Sequence, residues 1–151
     1  MNKFDAAVLE LEALFITIEA ELIDCGYSWY PTSKAPETFE DLKKEADIGF
    51  VIPIANYGCN QTIYSSEHMN QLFRFWHDVI HLELNENFQE QGELAVALVH
   101  KQQARERGLS QLAIDILWAD TYGQVQYYNS FGKFVEDQKD FVKRYIEGYR
   151  P

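Results

Sequence analysis

Apolar residues recur at Phe4, Val8, Leu11, Phe15, Ile18 and Leu22. Steps of three and four place them on one helical face, and no turn residue interrupts the run. A chain that begins this way has to bury a helix, and the same pattern returns downstream. Cys25-Gly26 closes the first helix, since glycine accepts a left-handed stop. Thr38 suits the cap of a short helix, and Ser65 or Ser66 the cap of a longer one supported by Glu67. A further helix is expected over about 92–107, closed by Gly108, and a strongly apolar one over 111–130 after Ser110. The last is expected over 133–148, with Phe134, Gln138, Phe141, Val142 and Tyr145 on one face.

Strand character is confined to two short stretches. Residues 48–55 are β-branched, residues 61–64 resemble them, and Asn56-Tyr57-Gly58-Cys59-Asn60 between them offers turn chemistry. The expectation is a small hairpin with Pro53 at an edge, while residues 27–36 are irregular. The fold class that follows is mainly α: a compact helical bundle of about five helices with one small β-hairpin. Its 151 residues form a single domain, 1–151, large enough for a hydrophobic core without disulfides.

One helix carries the wrong residues for a packing face. The run from Asn70 to His81 contains no Gly or Pro, and His77 and His81 stand four apart. They share one face, with Asp78 beside them and Asn70 and Arg74 along the same edge. Two other helices repeat the anomaly. Glu93 and His100 lie among Val96, Ala97 and Ala104, and Asp120 lies among Ala113, Ile116 and Leu117, with Gln124 one turn on. A carboxylate is costly to bury alone, so such groups need partners or a cation.

Two imidazoles and a carboxylate from neighbouring helices suit a divalent transition metal: zinc first, with manganese or iron also fitting. Glu93 and His100 are separated by roughly 10 Å along a helix axis, too far to reach one ion together. The ligand set is therefore His77, His81 and one of Glu93 or Asp120, with a position open for water. Asp78 and Gln124 are the candidate catalytic groups, and Arg74 and His100 the groups that orient ligands. The alternative is a hydrogen-bonded network of the same residues with no metal. The zincin pattern His-Glu-x-x-His is approached, but Asp78 stands on a shorter arm where Glu would be. The HD phosphohydrolases require an earlier histidine, and His68 is roughly 13 Å away along the same helix.

Composition narrows the partners. A net charge of −11 argues against a nucleic-acid surface, which needs clustered Lys and Arg. The acidic residues are spread along helices, which favours solubility over mimicry of nucleic acid as their role. The start of the chain lacks the basic and apolar run of a signal peptide, and no stretch reaches membrane-spanning length. Cys25 and Cys59 form no CxxC pair and suit reduced thiols in a cytoplasmic protein.

The segment from Asn70 to about Tyr128 resembles a family of uncharacterised helical proteins of tailed phages and mobile elements. The shared pattern is Phe73-Arg74, His77-Asp78 and His81, then Phe88 with Gly92-Glu93, then Asp120-Thr121-Tyr122-Gly123-Gln124. Asp120 stands where that family often has Glu, and a Gly found in some relatives between His-Asp and His is missing. The resemblance implies phage origin and action inside an infected bacterium, and brings no reaction with it. Two functions follow as expectations. One is a phage-encoded soluble metal-binding protein acting as a metal-dependent hydrolase. The other is a non-enzymatic acidic phage protein that binds a host or virion component.

Overall fold

The computed structural model describes residues 1–58 and 61–151. Helix α1 (Lys3–Asp24) starts at Asn2, whose side chain accepts from the Asp5 amide, and stops where Gly26 takes φ +99°. Strand β1 (Ser28–Thr32) follows, then α2 (Phe39–Ala46) capped by Thr38, then β2 (Val51–Ala55). Helix α3 (Glu67–Leu84) is capped by Ser66, and α4 (Glu90–Glu106) by the backbone at Gln89. Ser110 opens α5 (Gln111–Trp118), which runs through a π-helical turn (Ala119–Gly123) into α6 (Gln124–Phe131) without interruption. Asp137 caps α7 (Gln138–Ile146). The mainly α class holds.

The hairpin does not. Strand β2 pairs with β1, in parallel, with Trp29 opposite Ile52 and Tyr30 opposite Pro53. The physical reason lies in the connection. Parallel neighbours need a crossover of a dozen or more residues, and the segment holding α2 supplies one. Both prolines, Pro31 and Pro53, are tolerated because each strand of a two-stranded sheet has a free edge. Residues 61–64 form bends instead, and Ile63 and Tyr64 are buried against the helices. Of the expected turn, Cys59 and Asn60 lie outside the described residues, as does the thiol reading of Cys59; Cys25 is a free, exposed thiol.

The last helix is shorter than its periodicity suggests. Asp137 ends the approach by accepting from the Asp140 amide, which leaves Phe134 outside the helix and 80% exposed. The α4 helix begins two residues earlier than expected.

Helix α3 is packed on two sides. Leu72, Trp76 and Ile80 enter the larger core with Phe15, Val96 and Leu117, while Phe75 and Val79 enter a smaller one with Phe39, Leu42, Ile52 and Ile54. The polar edge of α3 is what remains: α4 meets it at His77 and His81, and the chain after β2 meets it at Arg74. A second buried polar contact fixes the entry to α3. Glu12, buried on α1, accepts from the Ser65 amide at 2.8 Å and from its hydroxyl at 2.7 Å. Glu12→Ala leaves these donors without a carboxylate, so a loss of about 1–3 kcal/mol is expected in denaturant unfolding.

Candidate metal centre

His77 and His81 project from α3 toward the first turn of α4, where Glu93 meets them. The Glu93 Oε2 atom lies 2.9 Å from His77 Nε2 and 3.4 Å from His81 Nε2, and the two Nε2 atoms are 3.1 Å apart. Ligands held tetrahedrally at about 2.0–2.2 Å from zinc sit roughly 3.3 Å from one another. The three atoms therefore converge at the spacing a small divalent ion needs, and the group His77–His81–Glu93 could hold one.

The far sides of the rings are also fixed. His81 Nδ1 lies 2.9 Å from the Glu86 carbonyl, which can only accept, so Nδ1 carries the proton and Nε2 presents its lone pair to the group. His77 Nδ1 lies 2.9 Å from His100 Nε2, and the two ring planes are within 7° of parallel. Outer partners of this kind orient metal-binding imidazoles. His100 is fully buried, stands edge-on to Trp76 at 4.0 Å between ring centres, and has no hydrogen-bond partner at Nδ1 among the described residues. Gly92 permits the Glu86 contact. The connection before α4 folds back so closely that a Cβ on Gly92 would lie 2.0 Å from the Asn87 carbonyl oxygen.

Electrostatics divide the carboxylates. Burial pushes Glu93 upward, but the His77 and His81 rings outweigh it and hold the carboxylate at about 2. For His77 burial acts downward and is outweighed by Glu93, so its pKa is raised. Burial, with the neighbouring rings, drives His100 well below the ordinary range. Asp78 is pushed up to about 6 by burial, against the pull of His77 and His81.

Asp120 stands apart from the convergent group. Its Oδ2 accepts from the Tyr64 hydroxyl at 3.1 Å and its Oδ1 from the Gln124 amide at 2.7 Å. Burial raises it to about 6, opposed by those two hydrogen bonds. The folded state thus holds the Asp120 proton more tightly than the unfolded chain. The stability this contributes is fully present below the ordinary aspartate pKa and is lost as pH rises through about 6. Asp120→Asn removes the dependence. Between pH 4 and pH 7 the stability of the wild type relative to the variant should fall by up to about 3 kcal/mol. Parallel curves in denaturant titrations at the two pH values would refute this.

Arg74 serves the backbone. Its guanidinium donates to the carbonyls of Ala55, Tyr57 and Gly58, pinning the chain after β2 beside the site. Two adjoining clefts, of about 640 and 670 Å³, open at the group and share His77, Asp78, Gln124 and Phe134 in their walls. Asp78 and Gln124 thus line the approach to the ligand atoms.

The residues singled out from sequence, His77, Asp78, His81, Glu93 and His100, are brought together by the packing of α4 on α3, and of the two acids that the sequence leaves as alternatives, Glu93 and Asp120, only Glu93 joins them. Tyr64 and the Glu86 carbonyl were missed. Tyr64 is read as strand, and a backbone carbonyl carries no residue-type signal at all.

Fold and site together define a mainly α domain with a two-histidine, one-carboxylate group at the mouth of a cleft. No protein family, curated protein or solved structure matches the chain. Among the described residues no helix is long and apolar enough to cross a membrane.

Proposed function

We propose that the chain is a phage-encoded metal-binding protein that holds zinc between His77, His81 and Glu93 and uses it for hydrolysis. The observation that carries this reading is the convergence of three ligand atoms within 3.4 Å of one another at a cleft mouth. Two histidines and one carboxylate leave a coordination position for water, and zinc bound there would acidify that water and polarise a carbonyl or phosphoryl oxygen. Asp78, beside the ligands and with its pKa raised to about 6 by burial, suits the proton-handling role. Gln124, whose amide is oriented by Asp120, suits a hydrogen bond to substrate. Manganese or iron fits the same donors.

The cobalt(II)-substituted protein tests the reading. Tetrahedral or five-coordinate absorption bands that shift on adding acetohydroxamate are expected, with Asp78→Asn retaining the bands. Tag-free protein that takes up no stoichiometric metal after add-back of zinc, manganese and iron would falsify it.

The second reading is a buried network in an acidic phage protein that binds a host or virion component. It is favoured by the His77–Glu93 contact at 2.9 Å, in which a His77 raised and a Glu93 lowered in pKa suit an imidazolium–carboxylate pair that needs no metal ion. Failure of metal uptake would leave this reading in place.

A further inference from the structure

Helix α1 is apolar on both sides. Val8, Leu11, Phe15 and Ile18 face the core. On the opposite side Leu9, Ile16 and Ile23 are 45%, 50% and 51% exposed, and Ala6, Ala13 and Ala20 are exposed between them. Charged residues separate the two apolar stripes, so the outer one is a second packing face and not an extension of the core face. The outward residues step by three, four, three, four and three from Ala6 to Ile23, which is the seam of a two-helix coiled coil. Small and large residues alternate along it without exception. The seam is about 26 Å long.

The alternation selects the occupant. Two copies of α1 laid antiparallel about a two-fold axis near Leu14 and Phe15 put Ala6 opposite Ile23 of the partner subunit. Leu9 then meets Ala20 of the partner subunit, and Ala13 meets Ile16 of the partner subunit. Every layer joins a small residue to a large one, and the alanines permit an axial separation near the lower end of the usual 8–10 Å. A parallel pair would stack alanine on alanine and leave gaps. One flank of the seam is Lys3, Glu10, Thr17 and Asp24, of which Lys3, Thr17 and Asp24 are exposed and Glu10 accepts from the Ser110 amide and hydroxyl of its own chain. In the antiparallel pair Lys3 faces Asp24 of the partner subunit and Glu10 faces Thr17 of the partner subunit. In a parallel pair this flank would meet the other one, setting Glu10 near Asp5 of the partner subunit and Asp24 near Glu19 of the partner subunit, like charges in both cases. The opposite flank is occupied at home, since Glu12 holds Ser65 and Glu19 accepts from Trp29. A groove of about 370 Å³ lined by Glu10, Ala13, Thr17, Arg107 and Leu109 runs alongside the two-fold axis, where Ile16 of the partner subunit arrives.

We infer that the exposed face of α1 is an interface between two copies of this chain, paired antiparallel through Ala6, Leu9, Ala13, Ile16, Ala20 and Ile23. The surface is isologous, as a two-fold dimer requires. It is small beside a standard interface, so a reversible dimer of micromolar dissociation constant is expected.

Sedimentation equilibrium of the full chain tests this. The wild type should approach twice 17.6 kDa at tens to hundreds of micromolar. Ile16→Glu should weaken association at least about tenfold, since it buries a charge at two symmetric points. Its thermal midpoint, compared at a concentration where both proteins are monomeric, should be unchanged because Ile16 faces away from the core. Lys3→Glu should weaken the dimer, and Lys3→Glu combined with Asp24→Lys should restore it. A wild type that is monomeric throughout this range overturns the inference. So does a dimer unaffected by Ile16→Glu, which would place the contact elsewhere, or a double exchange that fails to restore, which would deny the antiparallel register.

Discussion

His81→Ala is expected to abolish stoichiometric zinc binding and with it any zinc-dependent rise in thermal stability. Its side chain is 0% exposed, its Nδ1 is locked to the Glu86 carbonyl, and its Nε2 presents a lone pair to the same point as His77 Nε2. A ligand so fixed has lost its freedom before the ion arrives, so its removal costs the whole bond. A ligand that binds only the folded protein stabilises it by about 2.7 kcal/mol at a hundred times its dissociation constant. The wild type should therefore show a clear upward shift in melting temperature with zinc, and His81→Ala none. His100→Phe supplies the contrast. It keeps all three ligand atoms and removes the partner of His77 Nδ1, so affinity should fall by roughly 10–100-fold, the loss usual for outer partners. Calorimetric titration separates the two outcomes. Equal zinc affinity in His81→Ala and wild type would remove His81 from the ligand set.

Gly92→Ala is expected to destabilise the protein by about 2–4 kcal/mol, although it exchanges one small residue for another in a helix. Alanine ordinarily improves a helix, and Gly92 lies in the first turn of α4. Here the added methyl would sit 2.0 Å from the Asn87 carbonyl oxygen and 2.9 Å from the Asn87 carbonyl carbon. Backbone cannot rotate aside as a side chain does. Either α4 or the connection before it has to move, and that connection carries the carbonyl that orients His81. The melting temperature should drop by about 5–15 °C at this chain length. Gln91→Ala, at the exposed neighbouring position, should change stability by no more than about 0.5 kcal/mol. The two effects share one cause: zinc binding by Gly92→Ala should also weaken, because displacing the connection displaces the His81 ring and Glu93 beside it.

Much of the helical architecture was legible because its signals are local. Thr38 and Ser110 are legible as caps, and each accepts from an amide three residues on; of Ser65 and Ser66, which the sequence leaves as alternatives, it is Ser66 that does so. The β element was misread for the complementary reason. Residues 48–55 do contain a strand, but nothing local says which other segment it pairs with, and a turn-like sequence after it suggested the nearest one. The true partner, Ser28–Thr32, lies across a helix. Phe134 was misplaced because periodicity continues past the point where the Asp137 cap starts the helix.

The site divides in the same way. The i, i+4 spacing alone sets His77 and His81 on one face, and a carboxylate among alanines marks Glu93 as needing a partner. Those facts reside in the sequence, since helix geometry converts spacing directly into direction. The choice between Glu93 and Asp120 does not reside there. Both are acidic residues on apolar helix faces, and only the packing of α4 across α3 brings Glu93 within 3.4 Å of both imidazoles. Tyr64, from a segment far away in the chain, engages Asp120 instead. The sequence by itself determined the helices and the residues that could not be left unpaired. Tertiary structure decided the pairs, because partner choice depends on distances between elements that no periodicity encodes.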